Sequence, residues 1–322
     1  MLGLIAALSF SAGFATSRLG DNRRPDIAQP PEVSVTPLPQ APSSGPPIER
    51  STTTVAATVQ ATVPTSSTTE AAPEPAFPNA SSTGVDPDAS LILVESRDRP
   101  LIVTEDLDGI SYTGNIEIGA DGVTISNSRI VATTLNAAVW NRNGHSNVTI
   151  RDSTIICFRE GEPGAAGVAG IQNVFGNDIS GCADGIKAGG GAHIRGNYIH
   201  DLGFGEATHN DGIQIQAGDD IRIVNNTIIT YTDDPAVRQA NAGVFAQAES
   251  GPIRRLTIAN NYVDGFGFSL RIRGERLSDS KIVDNVIGPG HFFGALLVDG
   301  GAENPANNNL VGNNYRPDGS LI

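Results

Sequence analysis

Histidine, asparagine and aspartate meet in THND, residues 208–211, directly before the alternating run GIQIQ. An imidazole beside a carboxylate at the mouth of a polar strand is a candidate general acid/base pair, because its proton affinity lies near neutrality. His209, Asp211, Lys187 and Arg271 form the candidate catalytic set. His209 or Lys187 would abstract a proton beside a carboxylate, and Arg271 would neutralise that carboxylate through its planar fork. Gln214, Gln216, Phe245, Gln247, Arg273 and Asp299 are the candidate substrate-binding residues. The amides can bond sugar hydroxyls both ways, and Phe245 offers a ring for stacking. Asp211 with Glu206, Asp234 or Asp184 could instead hydrolyse a glycosidic bond, and Asp184 with Asp211 could bind calcium through oxygen. The plainer alternatives stay open: His209 bonded within its own loop, both aspartates as turn residues before glycine (the role favoured for Asp184), and the polar strand face as ordinary solvated surface.

These residues need strands to position them. DGIKAG, DGIQIQ, AGVFAQ, FSLRIR and GALLVD begin at Asp184, Asp211, Ala242, Phe268 and Gly294. Alternation turns Ile186, Ile213, Ile215, Val244, Ala246, Leu270, Ile272, Leu296 and Val298 inward. Two outward columns remain: Lys187, Gln214, Phe245, Arg271 and Leu297, and Gly189, Gln216, Gln247, Arg273 and Asp299. Two long loops, 200–211 and 230–243, flank this face.

The strands belong to a longer repeat. Hexads of one form begin at Ile125, Ile150, Val174, Ile194, Ile223, Ile258, Ile282 and Leu310, reading ISNSRI, IRDSTI, VFGNDI, IRGNYI, IVNNTI, IANNYV, IVDNVI and LVGNNY. Their fourth positions are Ser128, Ser153, Asn177, Asn197, Asn226, Asn261, Asn285 and Asn313, spaced 20 to 35 residues apart. Short apolar strands at that period, with Gly-rich connections, predict stacked coils of a parallel β-solenoid. The asparagine column is expected at a tight corner, where Asn tolerates a left-handed backbone and its amide bonds to the coils above and below.

The hexads resemble those of right-handed parallel β-helix proteins of the pectin-lyase-like superfamily, over about residues 114–315. The resemblance implies an all-β, right-handed single-stranded parallel β-helix that is extracellular and carbohydrate-directed, in a superfamily of lyases, hydrolases, epimerases and non-catalytic binders. HNDGI resembles the Asn-x-Asp-Gly-Ile corner of polygalacturonase-type hydrolases, and RIR their Arg-Ile-Lys. The expected Asp-Asp and Gly-His-Gly are absent, as are the Arg-x-Pro-x-x-Arg of pectate lyases and the Asp-Pro-His-Glu of alginate epimerases. The expectation is action on a polysaccharide, by elimination or hydrolysis, in a groove on one sheet face. A non-catalytic module binding a cell-surface glycan is the alternative.

Composition bounds the rest. Thirteen of twenty prolines fall between Pro25 and Pro87, in a Thr/Ser/Ala-rich stretch without apolar periodicity. Such a stretch buries too little to order itself, so 21–88 reads as a disordered linker and 89–322 as the β-helix domain. Residues 1–20 are short and apolar, like a signal peptide or an anchor, although the arginines follow the run rather than precede it. A secreted protein is expected, with any membrane tether through the N-terminus only, and a monomer. The net charge of −14 argues against nucleic acid. Cys157 and Cys182 take nearly the same station in adjacent coils, so a disulfide and a pair of buried thiols both fit.

Overall fold

A computed structural model describes residues 77–322, apart from 98, 135, 158–165, 204–209 and 231–240. The N-terminal segment and most of the Pro/Thr/Ser-rich linker lie outside the described residues. The expected all-β parallel solenoid forms. Each hexad proves to be two strands meeting at a corner, so a coil contributes to three sheets of nine parallel strands each. One coil runs through Thr149–Arg151 in sheet C, Thr154–Ile156 in sheet A and Ala166–Ala169 in sheet B. Among the described residues there is no α-helix, and a 3-10 turn at Pro305–Asn307 is the one helical element. No described helix is long and apolar enough to cross a membrane.

Strands of three residues suffice because each sends one apolar side chain inward. Ile150, Val174, Ile194, Ile223, Ile258 and Ile282 stack in register, all fully buried. The spacing between neighbouring strands, about 4.8 Å, places each in van der Waals contact with the next. One continuous core results, built from the same contact repeated coil after coil.

The corner between sheets C and A corrects the expected backbone geometry. The left-handed residues are Asn127, Asp152, Gly176, Gly196, Asn225, Asn260, Asp284 and Asn313, one position before the ladder. The ladder side chains need no special backbone; they point inward because the preceding residue turns the chain. The final rung is therefore Asn314, not Asn313, which carries the left-handed turn itself.

From Asn197 to Asn285 every rung makes the same bonds. The Oδ1 of Asn226, for example, accepts the backbone N–H and the side-chain amide of Asn197, at 3.0 and 2.9 Å. Its own Nδ2 donates to Ile194 O at 3.1 Å and to Asn261 Oδ1 at 2.9 Å. The amides are buried, and the rung leaves neither donor nor acceptor unused.

Cys157 and Cys182 are disulfide-bonded, with Cα atoms 4.7 Å apart, which decides between the two readings. Residues 77–88, expected in the linker, lie on the domain. The Gly84 N–H donates to Gly176 O, Val85 N–H to Thr154 Oγ1, and the Phe77 ring lies 5.6 Å from that of Tyr262. The domain thus extends back to Phe77, ahead of the expected start at 89.

Candidate functional site

The strands expected to carry the polar groove are adjacent in sheet B: Asp184–Ala188, Asp211–Ile215, Ala242–Gln247, Phe268–Arg273 and Gly294–Asp299. Lys187, Gln214, Phe245, Arg271 and Leu297 pair in succession, as do Gln247, Arg273 and Asp299. Lys187, Gln214, Gln247, Arg271, Arg273 and Asp299 are half-buried and Gln216 is exposed. Arg273 and Asp299 form an ion pair at 3.3 Å, so each occupies the other's charge.

The Asp-Gly pairs are not turns. Gly185 and Gly212 have ordinary backbone angles and open strands rather than reversing the chain. Gly167, Gly185, Gly212 and Gly243 stack where sheet A meets sheet B, and a Cβ on any of the first three would press into the carbonyl of the next glycine in the column. Close packing, not a special φ, excludes a side chain there. Asp211 stands two residues before Ile213 and shares its inward parity; its side chain is fully buried.

Both aspartates accept from the following coil. Asp184 Oδ1 takes the Asp211 N–H at 2.9 Å, and Asp211 Oδ1 takes the Ala242 N–H at 3.0 Å. Asp184 also pairs with Lys187 at 3.1 Å. Asp211 Oδ1 accepts Asn241 Nδ2 at 2.9 Å, while its Oδ2 accepts Gln214 Nε2 at 3.3 Å. Asn241 Oδ1 in turn accepts Arg271 Nη1 at 2.7 Å. Lys187, Asp211 and Arg271 therefore join one polar chain that crosses four strands.

Burial, and next the charge of Asp184, push the Asp211 carboxyl well above the usual carboxylate range. The donors at Ala242, Asn241 and Gln214 pull the other way and are outweighed. With no exposed surface and both oxygens engaged, Asp211 does not face the groove as a catalytic group would. It fixes Asn241, and through it Arg271. His209, Glu206 and Asp234 lie outside the described residues.

Phe245 corrects a second expectation. Only 7 % of it is exposed, and the Arg271 guanidinium lies over its ring at 5.2 Å. The ring is a seat for arginine rather than an open platform. Open aromatic surface lies elsewhere. Phe268 sits 5.9 Å from the same guanidinium and 5.6 Å from Phe293, which meets Phe292 edge-on at 4.8 Å. Phe292 and Phe293 are more than half exposed. At the other end of the groove, Trp140 occupies the Lys187 column one coil before Ala169, with Arg142 over its ring at 5.1 Å.

Residues 164–319 match the family model described as a right-handed beta helix region. The described domain folds as a right-handed parallel β-helix. No curated protein and no solved structure matches it. The family match covers the strands from the Lys187 coil onward, so the groove lies inside the recognised β-helix and Trp140 just before it.

Sequence reasoning missed Asn241, Trp140 and the Phe268, Phe292 and Phe293 cluster. One signal was available: an asparagine, Asn210 or Asn241, immediately precedes two successive sheet B strands. Among the described residues no group of three His, Cys, Asp or Glu side chains could hold a metal ion. The calcium alternative thus gains no ligand set from Asp184 and Asp211, whose oxygens already serve N–H groups and Lys187.

Proposed function

We propose that this β-helix holds an acidic polysaccharide along the outer face of sheet B, with Arg271 as the carboxylate anchor. One observation carries the reading. Arg271 is braced by Asn241 and by the faces of Phe245 and Phe268, beside an exposed pair of aromatic rings. Arg271 Nη1 donates once to Asn241 and Nε is buried, which leaves the other Nη donors pre-oriented for a carboxylate and rings for the apolar faces of sugars. Gln214 and Gln247 line the same groove and supply amides for hydroxyls.

Cleavage of the bound chain is the second reading, favoured by the Lys187 amine, half-buried on the groove face beside Asp184. Calorimetry with oligouronates and neutral oligosaccharides of equal length tests the first reading. The uronate should bind tighter, and Arg271→Gln should remove the difference. Equal affinity for both sugars would sink it. Incubation with a panel of acidic polysaccharides tests the second: new ultraviolet-absorbing unsaturated ends report elimination, and new saturated reducing ends report hydrolysis.

A further inference from the structure

The faces of sheet C and sheet B do not share charge evenly. The chain holds 35 acidic and 21 basic residues, yet the two outward columns of sheet C contain no acidic residue from Thr124 and Ser126 to Leu310 and Gly312. They carry Arg151, His193, Arg195, Arg222 and Lys281. Arg151 is neutralised by Asp152 at 2.8 Å, and at the neighbouring turn Arg254 and Arg255 are held by Asp219 and Asp220. Arg195, Arg222 and Lys281 are exposed and have no carboxylate within ion-pair distance among the described residues.

The cations are placed against one another. His193 pairs directly across strands with Arg222 and lies two residues from Arg195 on the same face. Burial first, then the charges of Arg195 and Arg222, hold its imidazole below the ordinary histidine range. Like charges opposite each other on a sheet are destabilising; Asp220, at the turn before Arg222, acts on it through its charge but forms no ion pair with it. The Arg195 guanidinium lies 5.7 Å from the Phe175 ring, which occupies the neighbouring rung of the same column. A strip of exposed cations outside any ion pair among the described residues, beside an aromatic ring and running along the stack of coils, fits a linear anion.

We propose that the outer face of sheet C is a second binding surface, for a linear polysaccharide bearing sulfate or carboxylate groups, anchored by Arg195, Arg222 and Lys281. It is separate from the sheet B groove and does not depend on its reading. A polymer suits it better than a small anion, because the cations are spread over several coils rather than gathered in a pocket.

The test is binding of the full chain to a heparin oligosaccharide of defined length across a salt series. Arg195→Ala/Arg222→Ala should weaken binding at least tenfold and reduce the slope of log affinity against log salt by about two, one per lost ionic contact. Arg195→Lys/Arg222→Lys should retain most of the affinity, and the loss in the alanine variant should persist in an Arg271→Gln background, which removes the sheet B anchor. The alanine double variant should unfold at the same denaturant concentration as the parent or higher, since it removes repulsion. A polygalacturonate oligomer run in parallel separates the anions: tighter heparin binding assigns sulfate, and equal binding assigns either group. Three results would overturn the proposal. They are unchanged heparin binding in the alanine double variant, disappearance of the alanine effect in the Arg271→Gln background, and equally tight, equally Arg195- and Arg222-dependent binding of single-stranded DNA of the same charge.

Discussion

Two corners of this solenoid stack side chains that differ only by an amino group in place of an oxygen. Between sheets C and A the stacked groups are amides; where sheet B begins they are the carboxylates of Asp184 and Asp211. An amide offers two donors and an acceptor, so a column of amides satisfies itself whatever its length. A carboxylate only accepts. Each aspartate can take the N–H of the next coil, but it gives nothing back to its neighbour except charge. The amide corner therefore repeats for many coils, whereas the carboxylate corner lasts two. It then needs Lys187 on one side and Asn241 with Arg271 on the other. A repetitive amide column makes a scaffold; a short acidic one recruits cations to the adjoining face.

The comparison breaks most easily at the amide corner. Asn226→Ala should cost about 4 kcal/mol in urea denaturation, because the buried N–H and amide of Asn197 and the carbonyl of Ile194 lose their partner, at roughly 1–3 kcal/mol each. A loss under about 1 kcal/mol would mean that water replaces the amide and that the ladder is ornamental. The disulfide links two of the same coils by other means. Cys157→Ser/Cys182→Ser should cost about 3 kcal/mol for a loop of this length, the cysteines being 25 positions apart. The far-UV spectrum should be unchanged, since the hydrogen-bonded stack persists.

The carboxylate corner should respond in the opposite direction. Asp211→Asn keeps the acceptor for Ala242 and Asn241, and Gln214 can rotate its amide to meet the new donor. Stability at neutral pH should rise by about 1 kcal/mol. The sign follows from linkage: a folded carboxyl raised above its unfolded value holds its proton more tightly in the native state. Parent stability must then fall as pH rises from the unfolded value, near 4, through the folded one. The advantage of the asparagine variant should open over that window and level off above it. A constant difference at all pH values would exclude strain in the acidic pair.

The smallest effect concerns a third arrangement, in which carboxylates receive a cation of their own. His200 lies between Asp178 at 2.9 Å and Asp201 at 2.8 Å, stacked on Tyr198. Burial is the largest influence and opposes its charge, yet the bonds and charges of the two aspartates together raise its proton affinity above the ordinary value. Its contribution is complete below the unfolded value, near 6.5, and is lost as pH rises through the folded one. Urea midpoints of the parent should therefore drop between pH 6 and pH 8 relative to His200→Gln, by a few tenths of a kcal/mol for this partly exposed group.

Much of this was legible in the chain. Eight hexads at coil spacing gave the parallel stack, and two-residue alternation gave the registered columns from Lys187 to Leu297, because a strand has no other way to distribute its side chains. The same alternation marked Asp211 as inward through its parity with Ile213. It was passed over because a carboxylate is expected at the surface. Phe245 failed for the converse reason. Its outward parity was right, but Arg271 from the next coil covers its ring, and contacts between coils are not written in either strand alone. Asn241 and the Phe292–Phe293 pair sit at strand entries, where no period applies.

By itself, then, the sequence determined the repeat, the stacked isoleucines and the amide ladder, since each follows from local periodicity copied coil after coil. Only the tertiary structure decided which left-handed residue turns each corner, that Cys157 meets Cys182, and that Asp211 holds Arg271 through Asn241. It also decided that the cations collect on the face of sheet C. Those outcomes depend on which residues of different coils come within a few ångströms of one another, and loops of unequal length set that register.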